Sequence, residues 1–323
     1  MPDITFEGIK YDCATDETVL DSLTRHGVLL PSGCRSGSCH ACKVKAVKGK
    51  PPEASQTGLK DTLKAQHYFL ACMCKPEEEI EIALADSSES FSSTIIEKLW
   101  LNKTVLKIKL TRPDGFQYQA GQFINLSRSS DQLVRSYSLA SIASDDFLEL
   151  HIKRVPDGRM SNWLCDELQT GDTISFFGPS GSCFYVQDNI EQPLLLAGTG
   201  TGLAPLYGIA RDAMQAGHTG PIHLFYASHH AEGLYYADEL KALADEYAQL
   251  NCTACVLQGE KPAGALSGAV DQAVVNVLGD LTGFRVYICG DAPVVELMQR
   301  SFFFAGASMQ SIYADAFAFT PEG

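Results

Sequence analysis

The most specific chemistry in the sequence lies in three cysteines, Cys34, Cys39 and Cys42, spaced C-x4-C-x2-C within Gly33-Cys34-Arg35-Ser36-Gly37-Ser38-Cys39-His40-Ala41-Cys42. Cys72 follows after 29 intervening residues. Four thiolates at this spacing match the ligand set of a 2Fe–2S cluster. A short loop supplies three of them only by curling its backbone around the cluster, and the small residues Gly33, Ser36, Gly37 and Ser38 permit that. Two other readings are a zinc knuckle, which prefers paired C-x2-C units, and incidental buried thiols. Cys74 competes with Cys72 for the fourth position.

Three further stretches point to nucleotide phosphates and a planar ring. Arg135-Ser136-Tyr137-Ser138 reads as strand, which puts Arg135 and Tyr137 on one face. Gly158-Arg159-Met160-Ser161 opens a helical segment, Asn162 to Leu168. Free N–H groups at a helix N-terminus hold a pyrophosphate, an arginine fork completes the charge match, and an aromatic on the arginine's face stacks on a flat ring. Gly198-Thr199-Gly200-Thr201-Gly202-Leu203-Ala204-Pro205 follows the apolar strand Leu194–Ala197 and runs into a helix. Its glycines admit a pyrophosphate to the backbone, and the helix dipole attracts the charge. Cys289-Gly290-Asp291 is a second glycine turn after a strand. Cys252 and Cys255 have redox-motif spacing, but on a strand they face opposite sides, so two packing cysteines are expected.

The elements that carry these residues change grammar twice along the chain. Up to about residue 90 there is a hairpin from Ile4, a helix from Asp16 to His26 capped by Thr15 or Asp16 and closed by Gly27, a strand Cys42–Val47 and a closing strand Glu79–Leu84. Asp86 to Ser93 is polar and Ser-rich, a linker composition. Short alternating strands follow at Thr104–Leu110, Gly121–Leu126, Ser136–Leu139, Phe147–Lys153 and Thr173–Phe177, as in an antiparallel barrel. After Gln192-Pro193, strands Leu194–Ala197, Ile222–Ala227, Cys252–Leu257 and Arg285–Cys289 alternate with helices Leu203–Ala216, Ala237–Ala248 and Ala269–Val277. That pattern is a doubly wound parallel sheet. The expected domains are 1–90, 91–188 and 189–323.

Composition bounds the function. The chain has 323 residues, a formal net charge of −14 and eleven cysteines. It opens without a basic and apolar leader, and no run approaches the length of a membrane span. The cysteines then belong to a reducing cytoplasm, and the negative charge argues against nucleic acid and anionic membrane as partners. Lys and Arg against Asp and Glu number 10 against 14 in residues 1–90, 10 against 11 in 91–188 and 5 against 14 in 189–323. The middle third keeps enough cations for an anionic ligand.

On these motifs the first 90 residues resemble plant-type ferredoxins, and residues 95–323 resemble the ferredoxin–NADP reductase superfamily. The order of the three units is similar to that of reductase components of multicomponent bacterial oxygenases. The resemblance implies a β-grasp ferredoxin domain, an antiparallel six-stranded flavin-binding barrel and an α/β nucleotide domain. It implies a 2Fe–2S cluster on Cys34, Cys39, Cys42 and Cys72, the family's gap favouring Cys72 over Cys74. For the flavin it implies Arg135 at the phosphates, Tyr137 on the ring, Ser138 near its N5, His151 and Lys153 on the lining strand, and Gly158, Met160 and Ser161 at the pyrophosphate, with FAD favoured over FMN. Gly198, Thr199, Gly200, Thr201, Gly202, Cys289 and Gly290 fall to the nicotinamide nucleotide, and Phe317, in the ending Tyr313 to Phe319, to a place near the flavin. Ser138 and Cys289 are the catalytic candidates. No Lys or Arg occurs between Arg211 and Lys241, where a 2′-phosphate would need one, so NADH is favoured over NADPH. The activity implied is transfer of electrons from NADH through FAD to the cluster and on to a terminal oxygenase or another one-electron acceptor protein. Two other readings are a reductase feeding a sugar-deoxygenating dehydratase and a redox-sensing regulator.

Overall fold

The computed structural model describes residues 2–59, 63–64, 67–84, 90–187 and 189–317. Three sheets divide the chain. In the first, β1 (Asp3–Phe6) and β2 (Ile9–Asp12) form the expected hairpin, and β3 (Lys43–Lys48), β4 (Tyr68–Leu70) and β5 (Ile80–Leu84) complete the order β2-β1-β5-β3-β4. Alternation turns Ile4, Phe6, Val44, Ala46, Ile80 and Ile82 inward, against Val19, Leu20 and Leu23 of helix α1 (Val19–Arg25). That helix starts later than Asp16. Asp16 takes a left-handed turn conformation, φ +65°, and Thr18 is the cap, its hydroxyl accepting from the amide of Asp21 at 3.1 Å. The next two orphan amides are satisfied from across the fold, Val19 by the carbonyl of Cys74 and Leu20 by that of Ala71. The helix start is thus tied to the segment that carries Cys72.

The second sheet is a barrel of β6 (Ser90–Trp100), β7 (Val105–Thr111), β8 (Phe123–Arg128), β9 (Leu133–Ser138), β10 (Phe147–Lys153) and β11 (Thr173–Ser180), ordered β10-β7-β6-β11-β8-β9. A bridge between Leu139 and Leu150 brings the two ends together. Strand β6 corrects the linker expectation: Ser90–Ser93 are paired with β11, while Asp86 to Glu89 lie outside the described residues. A serine-rich strand start hides its alternation because the buried positions there include Ser93 and not only apolar residues. After β10 comes the short helix α2 (Arg159–Asn162), continued by one wide turn over Trp163–Glu167.

The third sheet is parallel throughout: β12 (Leu194–Thr199), β13 (Ile222–Ser228), β14 (Leu250–Val256), β15 (Leu266–Ser267), β16 (Arg285–Asp291) and β17 (Ile312–Phe317), ordered β15-β14-β13-β12-β16-β17. Helices α3 (Leu203–Gln215), α4 (Ala237–Glu246), α5 (Val270–Leu278) and α6 (Ala292–Phe304) connect the strands; α6 was not anticipated. Strand order reverses between β12 and β16, the place where open sheets of this kind take ligands at their carboxyl ends. Cys252 packs in the cluster on one side of the sheet and Cys255 in the cluster on the other, as alternation requires. Among the described residues no helix is long and apolar enough to cross a membrane.

Candidate functional site

Strand register builds the cysteine site. Pairing of Lys43 with Leu70 in β3 and β4 places Cys42 beside the segment entering Cys72. The amide of Ala71 donates to the carbonyl of Cys42 at 3.0 Å, and the amide of Cys72 to the Cys42 sulfur at 3.4 Å. In the loop, the amide of Cys34 donates to the Cys39 sulfur, and the amides of Ser36 and Cys39 to the Cys34 sulfur, at 3.3–3.4 Å. The four thiols therefore form two pairs, Cys34 with Cys39 and Cys42 with Cys72. Hydrogen bonding within each pair draws Cys34 and Cys72 down and pushes Cys39 and Cys42 up. Among the described residues no three Cys, His, Asp or Glu side chains converge on one metal ion. A zinc knuckle gathers its ligands at one point, whereas two irons need two thiolates each, and the pairing fits the second. Cys74 is elsewhere: fully buried in the ferredoxin core beside Ser55 and Cys13, its thiol pushed up to about 12 by burial. Gly37 sits at φ +80°, where a side chain would also press on Met73.

The residues expected at the flavin line a cleft of about 440 Å³ whose wall comes from all three units. From the barrel and α2 it takes Arg135, Tyr137, Ser138, His151, Lys153, Gly158, Met160 and Ser161; from the cysteine loop Cys34 and Cys39; from the nucleotide domain Thr201, Asp315 and Phe317. Burial in this wall pushes the Tyr137 phenol up. Ser161 also braces its own turn, accepting from the amide of Val155 at 3.1 Å and donating to the carbonyl of Gly158. Asp131 lies between Arg128 and Arg159, and the Arg128 hydrogen bonds draw its carboxyl down to about 2. Three cations of the middle third, Arg135, Lys153 and Arg159, line this cleft, a suitable setting for a pyrophosphate.

The nucleotide turns meet at the strand-order reversal. Gly202 lies so close to the Cys289–Gly290 peptide that a Cβ would collide with the Cys289 carbonyl, and one on Gly290, φ +139°, would collide with the Thr199 hydroxyl. Gly198 is likewise closed in by Leu206 and Cys289. Gly198, Thr199, Gly200, Gly202, Cys289 and Gly290 border this junction rather than the flavin cleft itself. Cys289 is fully buried, its sulfur 3.7 Å from that of Cys183, and burial raises its thiol well above the ordinary range.

Two groups were missed from the sequence. Asp315 accepts a hydrogen bond from the Ser138 hydroxyl at 2.9 Å, and burial raises its carboxyl to about 6 against that bond. It stands two residues before Phe317 on β17, and period-2 alternation puts both on one face. The other is Glu149, Tyr235 and Tyr236, which join the expected His151 in a buried network. The ferredoxin unit meets the barrel through Ala41, Phe123 and Val134 and through the Asn125 amide, which donates to the carbonyl of Cys39 at 3.0 Å. His229 and His230 are exposed and meet edge-to-face, and His230 reaches the carbonyl of Gln258. Ala318 and Phe319 lie outside the described residues.

Three family models match consecutive parts of the chain: a 2Fe-2S iron-sulfur cluster binding domain over residues 4–77, an oxidoreductase FAD-binding domain over 94–185 and an oxidoreductase NAD-binding domain over 196–300. The ferredoxin–NAD(P)(+) reductase component of the naphthalene 1,2-dioxygenase/salicylate 5-hydroxylase systems of Ralstonia sp is 31% identical over 319 residues, 96% of each chain. The corresponding component of the Pseudomonas putida naphthalene 1,2-dioxygenase system is 30% identical over 308 residues, 93% of each chain. Among solved structures, the Amycolatopsis cytochrome P450 reductase GcoB superposes with a TM-score of 0.72 at 26% identity, covering 98% of this chain and 99% of that one. The ferredoxin reductase in carbazole 1,9a-dioxygenase superposes with a TM-score of 0.69 at 26% identity, covering 98% of each.

Proposed function

Because the chain belongs to the ferredoxin–NAD(P)(+) reductase components of oxygenase systems, oxidoreductases with 2Fe–2S, FAD and NAD domains, we propose that it takes electrons from NADH rather than NADPH and delivers them singly to a terminal oxygenase. When bound, FAD supplies the conversion of a two-electron hydride into single electrons, and the cluster carries them. Cys34, Cys39, Cys42 and Cys72 hold the cluster in their two pairs. Arg135, Lys153 and the first turn of α2 meet the FAD phosphates, while Tyr137, Ser138 and His151 wall its ring. Gly198 to Gly202 and the Cys289–Gly290 turn would receive the dinucleotide, with Phe317 beside the flavin ring.

The observation that supports this reading is the single cleft with Cys34 and Cys39 on one side, Tyr137 and Ser138 in the middle and Asp315 and Phe317 on the other. The flavin site then adjoins the cysteine loop in one cleft, with the nucleotide turns at its border and the Cys34–Cys39 pair as the inlet to the cluster. The relatives do not favour the sugar-dehydratase or regulator readings. The test is purified protein with NADH: flavin and iron–sulfur absorption, reduction of ferricyanide and cytochrome c, and NADH-driven turnover of an added terminal oxygenase. A colourless protein without NADH-dependent electron transfer contradicts the proposal.

A further inference from the structure

One buried polar network joins the flavin strand to the nucleotide domain, and the motifs above do not account for it. On β10, Glu149 and His151 point the same way; the His151 Nε2 lies 3.1 Å from Glu149 Oε1. From the nucleotide domain, Tyr236 donates its hydroxyl to the same Glu149 oxygen at 2.7 Å, and the Tyr235 hydroxyl lies 3.1 Å from His151 Nδ1. All four residues are buried, at 4–7% exposure. Lys109, opposite Glu149 in the strand register, places its ammonium 4.0 Å from the second carboxylate oxygen. Burial alone would raise the Glu149 carboxyl, but His151 and Tyr236 hold it below its ordinary value.

The backbone at this contact is unusual. Tyr236 has φ +61° and ψ +24°, a left-handed conformation that a bulky residue adopts only when its surroundings require it. Tyr207 packs edge-on against its ring at 5.2 Å, and the neighbouring Gly233 carbonyl accepts from Asn102 of the barrel at 3.1 Å. The segment so pinned, between β13 and α4, leaves the carboxyl end of a strand beside the nucleotide crevice. His151, at the other end of the network, lines the flavin cleft.

We propose that Glu149 is a positioning residue for hydride transfer: by holding His151 and Tyr236 through one oxygen, it sets the spacing between the bound nicotinamide and the flavin ring. The proposal rests on FAD lying against Tyr137 and His151, as inferred above. Hydride transfer depends steeply on approach, and a displacement of about 1 Å costs on the order of a hundredfold in rate. A merely structural contact would change stability and leave the approach alone.

The test uses holoprotein with Tyr236→Phe, Glu149→Gln and both together. Flavin reduction is followed anaerobically by stopped flow, with NADH and with NADH deuterated at the transferred position. The expected result is a limiting rate at least tenfold lower in each single variant, with the NADH dissociation constant changed less than threefold, the isotope effect altered and FAD content unchanged. The double variant should be no slower than the worse single one, because the two side chains act as one unit. Rates within twofold of wild type, or slow rates that track loss of FAD, overturn the proposal. The second outcome would make the network a flavin anchor, and normal FAD content with dithionite reduction intact keeps the flavin placement separate from this inference.

Discussion

Replacing Gly202 by alanine tests whether the nucleotide site depends on the close approach of two backbones. A Cβ at Gly202 would collide with the Cys289 carbonyl and its carbon and would stand 2.9 Å from the Gly290 amide nitrogen. All three neighbours are backbone atoms of β16 in the middle of a parallel sheet, so no side-chain rotation relieves the clash. Ordinary contacts begin near 3.4 Å, and restoring them moves the start of α3 away from the Cys289–Gly290 turn by about 1 Å. Overpacking of this kind costs about 1–3 kcal/mol, and the same displacement takes the amides of the Gly-rich turn out of reach of the dinucleotide phosphates. The expected outcome is a weakening of NADH binding of at least tenfold and a lower melting temperature for the nucleotide domain, with flavin and cluster absorption unchanged and dithionite still reducing both. Gly217→Ala is the comparison: it has positive φ but nothing within 4 Å, so it should strain the backbone and leave NADH affinity alone. NADH binding within threefold of wild type in Gly202→Ala would refute the close-approach argument.

Other outcomes follow from the same geometry. Cys72→Ser should abolish iron–sulfur absorption and cytochrome c reduction while NADH–ferricyanide turnover persists, whereas Cys74→Ser, in the core, should keep the cluster; the reverse result would reassign the fourth ligand. The half-buried Asp315 carboxyl, raised to about 6, binds its proton more tightly folded than unfolded, so its contribution to stability is lost as pH rises from about 4 to about 6. Asp315→Asn should remove that slope and stabilise the protein above pH 6 by at most about 3 kcal/mol, read from denaturation against pH. NADH should exceed NADPH in kcat/KM by at least tenfold, the worth of about one charge-assisted hydrogen bond to the 2′-phosphate. His230→Arg should narrow that ratio by improving NADPH.

What the sequence discloses is the chemistry held on contiguous stretches. The cysteine loop, Arg135 to Ser138 and the turn at Gly198 to Gly202 are legible because a cluster, a flavin and a pyrophosphate each demand fixed residue types at fixed spacing. The choice of Cys72 over Cys74 rests on a family gap in the sequence, and the β3–β4 register, which sets Cys72 beside Cys42, supports it. Contacts made by docking one domain on another leave no local pattern. Ser138 meets Asp315 from 177 residues away and Glu149 meets Tyr236 from 87, and neither pair forms a motif. The start of α1 shifted to Val19 because Thr18 caps with better geometry than the candidates upstream, and β6 escaped notice because serines occupy positions where alternation is usually read.

The central claim is that electrons from NADH pass to the flavin in one cleft and then to the cluster held by Cys34, Cys39, Cys42 and Cys72. Anaerobic addition of NADH to the holoprotein, followed by low-temperature electron paramagnetic resonance, tests it most directly. The expected result is the signal of a reduced 2Fe–2S cluster appearing within the time of flavin bleaching, and absent from Cys72→Ser although its flavin still bleaches. Flavin reduction with the wild-type cluster left oxidised, or a cluster signal that survives Cys72→Ser, would contradict the account.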